Sequence, residues 1–341
     1  MTNIRDVARH AGVSAGTVSN VLNRPSYVKP ETRERVESAI RELRFAPRSA
    51  SRQFRPGRIR VLGMVVVDLG MQFFADVALG ADAMSRELGV SMVICTSGDD
   101  MRNEEYNLDV LVQHRVQGVL ISPVNEQNPR LEAMLDRGVP VVFVDRTPSI
   151  DKCCSVATHD LEGGRLAGRH LVELGHRRLG FVGDPRVRLQ MGARFAGFTE
   201  AARGCDIETL PTASWRIEDG RNVGRSLAAR PPADRPTGIF CANDELALGA
   251  LQELLIAGVK VPDDIAIVGY DDIVWAELAA VPLTTIRQPR TELGRTATRL
   301  VMAEASEGGR HRHHHVLLEP DLVIRASTAG LPVPITLSTK P

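Results

Sequence analysis

Short apolar runs that alternate with amphipathic helical segments from Arg60 onward place the tightest limit on the fold of this chain. The first four runs are separated by about twenty to thirty residues, a spacing that favours βαβ units and parallel sheets. The candidate strands are residues 61–67, 91–96, 117–122, 140–144, 178–182, 238–242 and 265–269. They fall into two series, which predict two α/β lobes in tandem with a ligand between them at the carboxyl ends of the strands.

Ahead of these lobes, the stretch IRDVARHAGVSAGTVSNVLN at residues 4–23 predicts two short helices joined by a tight turn. Val7, Ala8 and Ala11 are spaced three or four apart, as the buried face of a helix requires. Gly12 breaks the first helix, and Ser14 is a good N-cap for the second. This pattern is that of a helix-turn-helix, whose second helix lies in the major groove of DNA. The alternative is a helical hairpin that caps a larger core.

The charge of the chain is unevenly distributed, although its formal net charge is zero. Residues 1–58 contain 12 Lys or Arg and 5 Asp or Glu, and the remainder contains 30 and 37. A basic module on a mildly acidic body is the electrostatic pattern of a DNA-binding head on a sensor body.

Composition disfavours several other classes of protein. No apolar run approaches the roughly 18 residues of a membrane helix, and the polar N-terminus is not expected to be a signal peptide. A solute-binding protein would need such a peptide and no basic head. The 5 cysteines have no CxxC spacing, which favours a reducing cytoplasm over a disulfide framework or a zinc site.

An enzyme on an α/β scaffold is the other rival, and it would need a catalytic constellation. Neither a Ser-His-Asp arrangement nor a pair of carboxylates stands out in the sequence. The glycine-rich motifs that bind dinucleotides or nucleoside triphosphates are also missing from the sequence. We therefore expect no enzymatic activity and no cofactor.

The runs DVARHAGVS, TVSNVLN and VKPETRERV closely resemble the DNA-binding headpiece of the LacI/GalR family of bacterial transcription regulators. Further runs resemble the body of that family: FF at 73–74, GGRLAGRHLVELGHRRLGFV at 163–182, GARFAGF at 192–198, CANDELALGAL at 241–251, GYDD at 269–272, PLTTIRQP at 282–289 and LVIRAST at 322–328. The resemblance implies an all-α helix-turn-helix headpiece and an α/β body of two doubly wound parallel-sheet lobes, similar to periplasmic sugar-binding proteins.

The same resemblance sets the expected domain boundaries. The headpiece would span 1–47, a hinge 48–58, and the two-lobed effector-binding and dimerisation domain 59–330. The chain would cross between the lobes near residues 160, 290 and 322. A tail at 331–341 has 3 prolines and no heptads, so it does not predict a tetramerising helix.

The resemblance also places DNA contacts on the second helix, at Ala15, Gly16, Thr17, Ser19 and Asn20. Hydroxyls such as those of Thr17 and Ser19 usually bond to phosphates. Asn20 can pair bidentately with adenine. The family commonly has arginine where Asn20 stands, which predicts an operator that departs from the family standard.

The hinge sequence RSASRQFRPGR, taken alone, is typical of a flexible basic linker. The family has a hinge helix here that folds on DNA and inserts a leucine into the minor groove. Arg52 fits that pattern, and Phe54 stands at the position of the leucine, so both are expected to contact DNA. In the competing interpretation, Phe54 packs against the body and anchors the linker.

Carried over by resemblance, the effector pocket would contain Phe73, Phe74, Arg188, Gln190, Arg194, Trp215, Asn243 and Asp271. An aromatic face such as Trp215 packs on C–H patches, and Arg194 and Asp271 offer forked hydrogen bonds to hydroxyls. These chemistries suit a sugar or similar polyhydroxylated ligand. Two alternatives stay open: one of the two phenylalanines belongs to the lobe core, and Arg194 lies on the surface.

A Gly-flanked turn near the end of the chain is rich in histidine, with His311, His313, His314 and His315. Such tracts can bind metals, but we expect a solvated loop and no metal. The whole sequence predicts a cytoplasmic, homodimeric repressor that binds a pseudo-palindromic operator under the control of a small ligand. Activation instead of repression, and co-repression instead of induction, stay open.

Overall fold

The computed structural model of the protein describes residues 4–23, 27–43, 60–148 and 152–329. The chain divides into two compact units, Met1–Ile59 and Arg60–Pro341, and each is described by itself. Arg52 and Phe54 lie outside the described residues, so their contacts with DNA stay predictions.

The headpiece contains the predicted pair of helices and a third one: α1 (Ile4–Ala11), α2 (Ala15–Asn23) and α3 (Pro30–Glu42). Each helix contributes one completely buried valine to a common apolar cluster: Val7, Val18 and Val36. Gly12 makes the turn with a φ of 65°, a conformation that glycine adopts without steric cost. The Ser14 Oγ accepts a hydrogen bond of 3.1 Å from the Thr17 amide, so it caps α2 as the sequence predicted.

The first lobe of the body is a six-stranded sheet with the strand order β11-β5-β4-β3-β1-β2, all parallel. Its strands are β1 (Val61–Val66), β2 (Ser91–Thr96), β3 (Val119–Ile121), β4 (Val141–Val144), β5 (Cys154–Thr158) and β11 (His315–Leu318). Its helices are α4 (Gln72–Glu87), α5 (Met101–Gln113), α6 (Pro129–Asp136) and α12 (Arg290–Glu307).

The second lobe is another six-stranded sheet, with the order β12-β10-β9-β8-β6-β7, in which only β12 runs antiparallel. Its strands are β6 (Arg178–Val182), β7 (Asp206–Leu210), β8 (Gly238–Cys241), β9 (Ala266–Asp271), β10 (Thr284–Arg287) and β12 (Asp321–Val323). Its helices are α7 (Asp160–Glu173), α8 (Leu189–Ala201), α9 (Ile217–Ala229), α10 (Asp244–Ile256), α11 (Val274–Leu278) and α13 (Ala326–Ala329).

The chain passes between the lobes three times. The crossings lie at His159 between β5 and α7, at 288–289 between β10 and α12, and at 319–320 between β11 and β12. Loops at the carboxyl ends of both sheets meet in the space between the lobes, which we call the effector cleft. Parallel α/β sheets bind ligands at such ends.

Paired glycines allow three pairs of helices to touch backbone to backbone. Between α7 and α8, a Cβ on Gly197 would lie 1.9 Å from the Leu161 carbonyl oxygen, and one on Gly164 would lie 2.0 Å from that of Arg194. The same arrangement recurs at Gly80 and Gly294 between α4 and α12, and at Gly220 and Gly249 between α9 and α10. Any side chain at these positions would push the helices apart.

Candidate effector site and DNA-binding helix

The predicted DNA-contacting residues of α2 differ in how exposed they are. Ala15, Gly16 and Asn20 are exposed, whereas Thr17 and Ser19 are half-buried. The Thr17 hydroxyl lies 2.9 Å from the Ser14 hydroxyl at the start of the helix. The exposed residues are therefore available to base edges, and the individual DNA contacts stay predictions.

Two carboxyl groups lie at the carboxyl ends of central strands, one from each lobe, on the side of the effector cleft. Asp145 follows β4 with a φ of 61°, and Asp271 ends β9 with a φ of 116°. Both side chains are buried. A non-glycine residue held in such a conformation costs about 1–3 kcal/mol, and residues of this kind cluster at ligand sites. Asp271 was predicted, and Asp145 was missed although it ends the apolar run PVVFVD in the same way.

Burial also changes the proton affinity of these two carboxylates. It raises the pKa of Asp145 to about 8, with help from the negative charge of Asp160 and against the attraction of Arg194. Burial likewise raises the pKa of Asp271 to about 6, again against Arg194. Near neutral pH these carboxyls can exchange a proton, so they can serve a ligand as donors or as acceptors.

Arg194 lies beneath the cleft and is tied to the second lobe from several sides. Only 4% of the residue is exposed, so the alternative of a surface position is wrong. Its Nε donates to Asp160 Oδ1 at 2.7 Å, and its Nη1 donates to the Ala242 carbonyl at 2.6 Å. The guanidinium also lies 3.6 Å from the centroid of the Tyr270 ring, whose hydroxyl donates to Asp160. The Nε and Nη1 atoms of Arg194, which were expected to bind the ligand, therefore already donate hydrogen bonds within the protein.

The Arg194 guanidinium stays protonated in this buried position. Burial by itself lowers the pKa of the guanidinium, but the surrounding carboxylates, with Asp160 foremost, outweigh that effect and raise it. Arg194 thus compensates the negative charge of a cluster that includes Asp160, Asp145 and Asp271.

Gln190 and Arg188, at the start of α8, reach across the cleft to the first lobe. The Gln190 Nε2 donates to the Asp145 carbonyl at 2.7 Å and to its Oδ2 at 3.2 Å. Arg188 forms an ion pair with Asp99, which follows β2. Both predicted residues therefore connect the lobes.

Trp215 forms part of the wall of the cleft, since it packs against the apolar cores of both lobes. The Arg188 guanidinium lies 4.9 Å from the centroid of its ring. Asn243 donates from its Nδ2 to the Trp215 carbonyl at 2.9 Å and accepts at its Oδ1 from the Leu246 amide. Both ends of the Asn243 amide are therefore used to cap α10 and hold the Trp215 loop.

Phe73 and Phe74 stand at the start of α4 and are both buried in the core of the first lobe. Their rings meet edge to face with centroids 5.0 Å apart. Trp215 packs against the same apolar cluster. The pair therefore supports the first-lobe wall of the cleft, and neither ring is exposed.

Three buried side-chain oxygens beside the cleft have no hydrogen-bond partner among the described residues. They are Asp145 Oδ1, Gln190 Oε1 and Gln288 Oε1. The Gln288 Nε2 donates to Asp271 Oδ1 at 2.6 Å, which fixes the direction of its free oxygen. Buried polar atoms are nearly always paired in folded proteins, so this set is suited to a ligand that carries several donors. Sequence reasoning missed Gln288 because it lies on a lobe crossing.

Comparison with known proteins agrees with this geometry. Residues 3–48 match the description "Bacterial regulatory proteins, lacI family", and residues 169–328 match a periplasmic binding protein-like domain. The HTH-type transcriptional repressor PurR of Mannheimia succiniciproducens is 32% identical over 332 residues, covering 96% of this chain and 98% of that protein. The chain belongs to the LacI family.

Solved structures of transcriptional regulators are similar to this chain over nearly its whole length. The lac repressor dimer bound to operator and the anti-inducer ONPF is 28% identical with a TM-score of 0.80, covering 96% of this chain and 99% of that one. A complex of the regulator CelR with cellobiose is 31% identical with a TM-score of 0.69, covering 96% and 100%.

The predicted family and fold class are thus confirmed, and this LacI-family protein is a ligand-responsive, DNA-binding transcriptional repressor and not an enzyme. Among the described residues, no helix has the length and apolar character needed to cross a membrane.

Proposed function

We propose that this repressor binds a small, hydroxyl-rich ligand, such as a sugar, between Asp145 of the first lobe and Gln190, Asp271 and Gln288 on its other side. The three buried side-chain oxygens without partners carry this proposal. Sugar hydroxyls are donors that can satisfy them, and the Trp215 ring offers an apolar face to C–H groups. The cellobiose complex of CelR supports the same ligand class.

The ligand would act on the equilibrium between open and closed lobes. It would bind best when Asp145 and Gln190 approach each other, so it would favour closure by as much as its affinity differs between the two states. The three crossings are where the backbone can absorb such a rotation. Closure would then bias whether the hinge segments at 48–58 pair and order on the operator.

Binding would take place in the cytoplasm, with two copies of the chain on one operator. The lac repressor relative was solved as a dimer on its operator. A two-fold dimer presents two recognition helices, which requires an approximately palindromic site.

A thermal-shift screen of the full-length protein with monosaccharides, disaccharides, polyols and nucleobases would test the ligand class. We expect a hydroxyl-rich compound to raise the melting temperature, and calorimetry to give its affinity. Gln288→Ala and Asp271→Asn should each weaken binding by about 1–3 kcal/mol, because each leaves a buried group unpaired. The exposed Gln252→Ala is the matched control and should bind normally. Stabilisation by nucleobases alone, or unchanged affinity in both cleft variants, would contradict the proposal.

Base readout gives a second prediction, on α2. Asn20 is exposed and can make two hydrogen bonds to adenine, so Asn20→Ala should relax the preference at one base pair of each half-site. The expected loss is about 1–3 kcal/mol for the preferred base. Selection from randomised operators would measure it. Lys29→Ala is the control, since loss of an exposed cation weakens binding to all sequences alike. An unchanged sequence preference in Asn20→Ala would show that Asn20 does not read a base.

A further inference from the structure

The side chains of Cys154, Glu304, His311 and His313 converge on the first lobe, away from the effector cleft. Their ligand atoms all lie within 4.8 Å of one another. Cys154 begins β5, Glu304 lies in the last turn of α12, and the histidines lie in the loop that enters β11. Because β5 and β11 are parallel and both begin here, this cluster occupies the edge of the sheet opposite to the effector cleft.

The distances in the cluster suit a tetrahedral metal ion. The Cys154 Sγ lies 3.2 Å from His311 Nε2 and 3.9 Å from His313 Nδ1. Zinc bonds of about 2.0–2.3 Å to nitrogen, oxygen and sulfur place tetrahedral ligands about 3.3–3.8 Å apart. Movements of a fraction of an ångström would therefore bring these atoms to a common centre.

Groups around the cluster hold two of the ligands in position. The His311 side chain is only 4% exposed, and its Nδ1 lies 2.8 Å from a Glu307 carboxylate oxygen. That contact turns Nε2 toward Cys154, in the carboxylate–histidine–metal arrangement that orients ligands in known sites. The His314 amide donates to the Cys154 Sγ at 3.3 Å, a bond that stabilises a thiolate.

Glu304 supplies an independent sign of a missing partner. Its Oε2 is buried and has no hydrogen-bond partner within the ranges that the structure describes. A buried carboxylate oxygen is costly unless it meets a donor or a cation. Its neighbours in the cluster, a thiol and two imidazoles, are themselves metal ligands, so one cation could satisfy all four groups together.

The sequence-based expectation of a solvated loop is wrong for His311 and His313, which are half-buried, although His314 and His315 are exposed. The reason is the pairing of β11 with β5, which draws the loop across the start of β5. The four ligands come from separate stretches of chain. Cysteine spacing therefore carried no signal of this site.

We propose that Cys154, His311, His313 and Glu304 bind one divalent transition-metal ion, with zinc as the ion of choice. One thiolate, two imidazoles and one carboxylate form a closed tetrahedral set, which is typical of structural zinc. The ion would fasten the end of α12 and the loop before β11 to the start of β5. These segments lie at the end of the first-lobe sheet away from the crossings, so metal binding would stiffen the first lobe itself.

A cavity of about 430 Å³ gives an ion access to the cluster, and its lining includes Gln117, Lys152 and Glu304. Gln117 accepts a hydrogen bond of 2.9 Å from Arg60, the first described residue of the body. The proposed metal therefore lies beside the segment at which the chain enters the first lobe.

Titration of the untagged, reduced, full-length protein with Zn²⁺ against a chromophoric chelator is the first test. We expect one high-affinity Zn²⁺ per chain and a rise in melting temperature of several degrees, because the ion binds only the folded state. Co²⁺ should give intense tetrahedral d–d bands and a sulfur-to-cobalt charge-transfer band. Weak octahedral Co²⁺ bands without charge transfer would overturn the proposal.

Variants then assign the ligands. Cys154→Ser and His313→Ala should each lower the Zn²⁺ affinity about a hundredfold or more, and Glu307→Gln about 10–100-fold. His314→Ala is the matched control, since His314 is the exposed neighbour, and it should bind Zn²⁺ as the wild type does. Metal-free melting curves check folding, and the half-exposed His313 keeps the test valid if Cys154→Ser is unstable. Wild-type affinity in His313→Ala, or an equal loss in His314→Ala, would overturn the proposal.

Discussion

Arg194→Ala is expected to destabilise the body by about 3–5 kcal/mol, because it leaves the buried Asp160 carboxylate without its cation. It also removes the donor to the Ala242 carbonyl and the cation above the Tyr270 ring. Urea unfolding followed by circular dichroism measures the loss. A melting temperature lower by about 2–4 °C for each kcal/mol should accompany it.

Arg165 provides the matched control on the neighbouring helix. It pairs with Glu162 and Glu200, but its side chain is 29% exposed, so Arg165→Ala should cost at most about 1 kcal/mol. Adding Asp160→Asn to Arg194→Ala should recover part of the lost stability, since the uncompensated charge is then gone. A loss below 1 kcal/mol in Arg194→Ala would show that Asp160 does not depend on this cation.

The second large effect is a pH dependence created by Asp145. Its pKa is about 8 in the folded protein against a usual 3.8, so between these values the folded chain holds a proton that the unfolded chain releases. The contribution of Asp145 to the free energy of unfolding therefore falls as pH rises from about 4 to 8. Asp145→Asn removes the titration, so its stability relative to the wild type should increase steadily from pH 5 to pH 8.

Paired urea titrations of wild type and Asp145→Asn at several pH values measure this difference directly. The comparison cancels the contributions of titrating groups that do not interact with the Asp145 carboxyl; Asp160 and Asp271 do interact with it. A difference between Asp145→Asn and the wild type that stays constant with pH would contradict a raised pKa for the Asp145 carboxyl.

Helix periodicity and continuous apolar runs made much of the fold predictable. The spacing of Val7, Ala8 and Ala11 identifies the buried face of α1, and these residues are in the headpiece core. Strands β5, β7 and β10 were not predicted, because CSVAT, DIETL and TTIR are short and contain polar residues. Thr284 and Thr285 of β10 are nevertheless buried, since hydroxyl partners such as Thr328 and Asp244 are supplied by distant segments.

The same distinction applies to the effector cleft. Asp271 could be predicted because it ends an apolar strand, and Asp145 could have been found by the same rule. Gln288 and Asp160 lie at the crossings that the resemblance placed near residues 290 and 160, but a position at a crossing does not show which side chains are buried there. Phe73 and Arg194 were predicted as ligand contacts. Instead, Phe73 is buried in the apolar core, and Arg194 is buried in an ion pair with Asp160. The position of a residue in the sequence does not distinguish these roles from contact with a ligand.

The triple crossing means that neither lobe is a continuous piece of polypeptide. Leu293, Ala297 and Val301 of α12 belong to the core of the first lobe, and β11 forms one edge of its sheet. On the ribosome, both are made only after β6 to β10 of the second lobe. Domains generally fold in order as they emerge. The first lobe, however, cannot complete its core until most of the second lobe has been synthesised. Until then, it has an exposed apolar face and an unpaired strand edge. Ribosome-bound chains that stop before α12 are thus the stage at which chaperones have the most surface to bind.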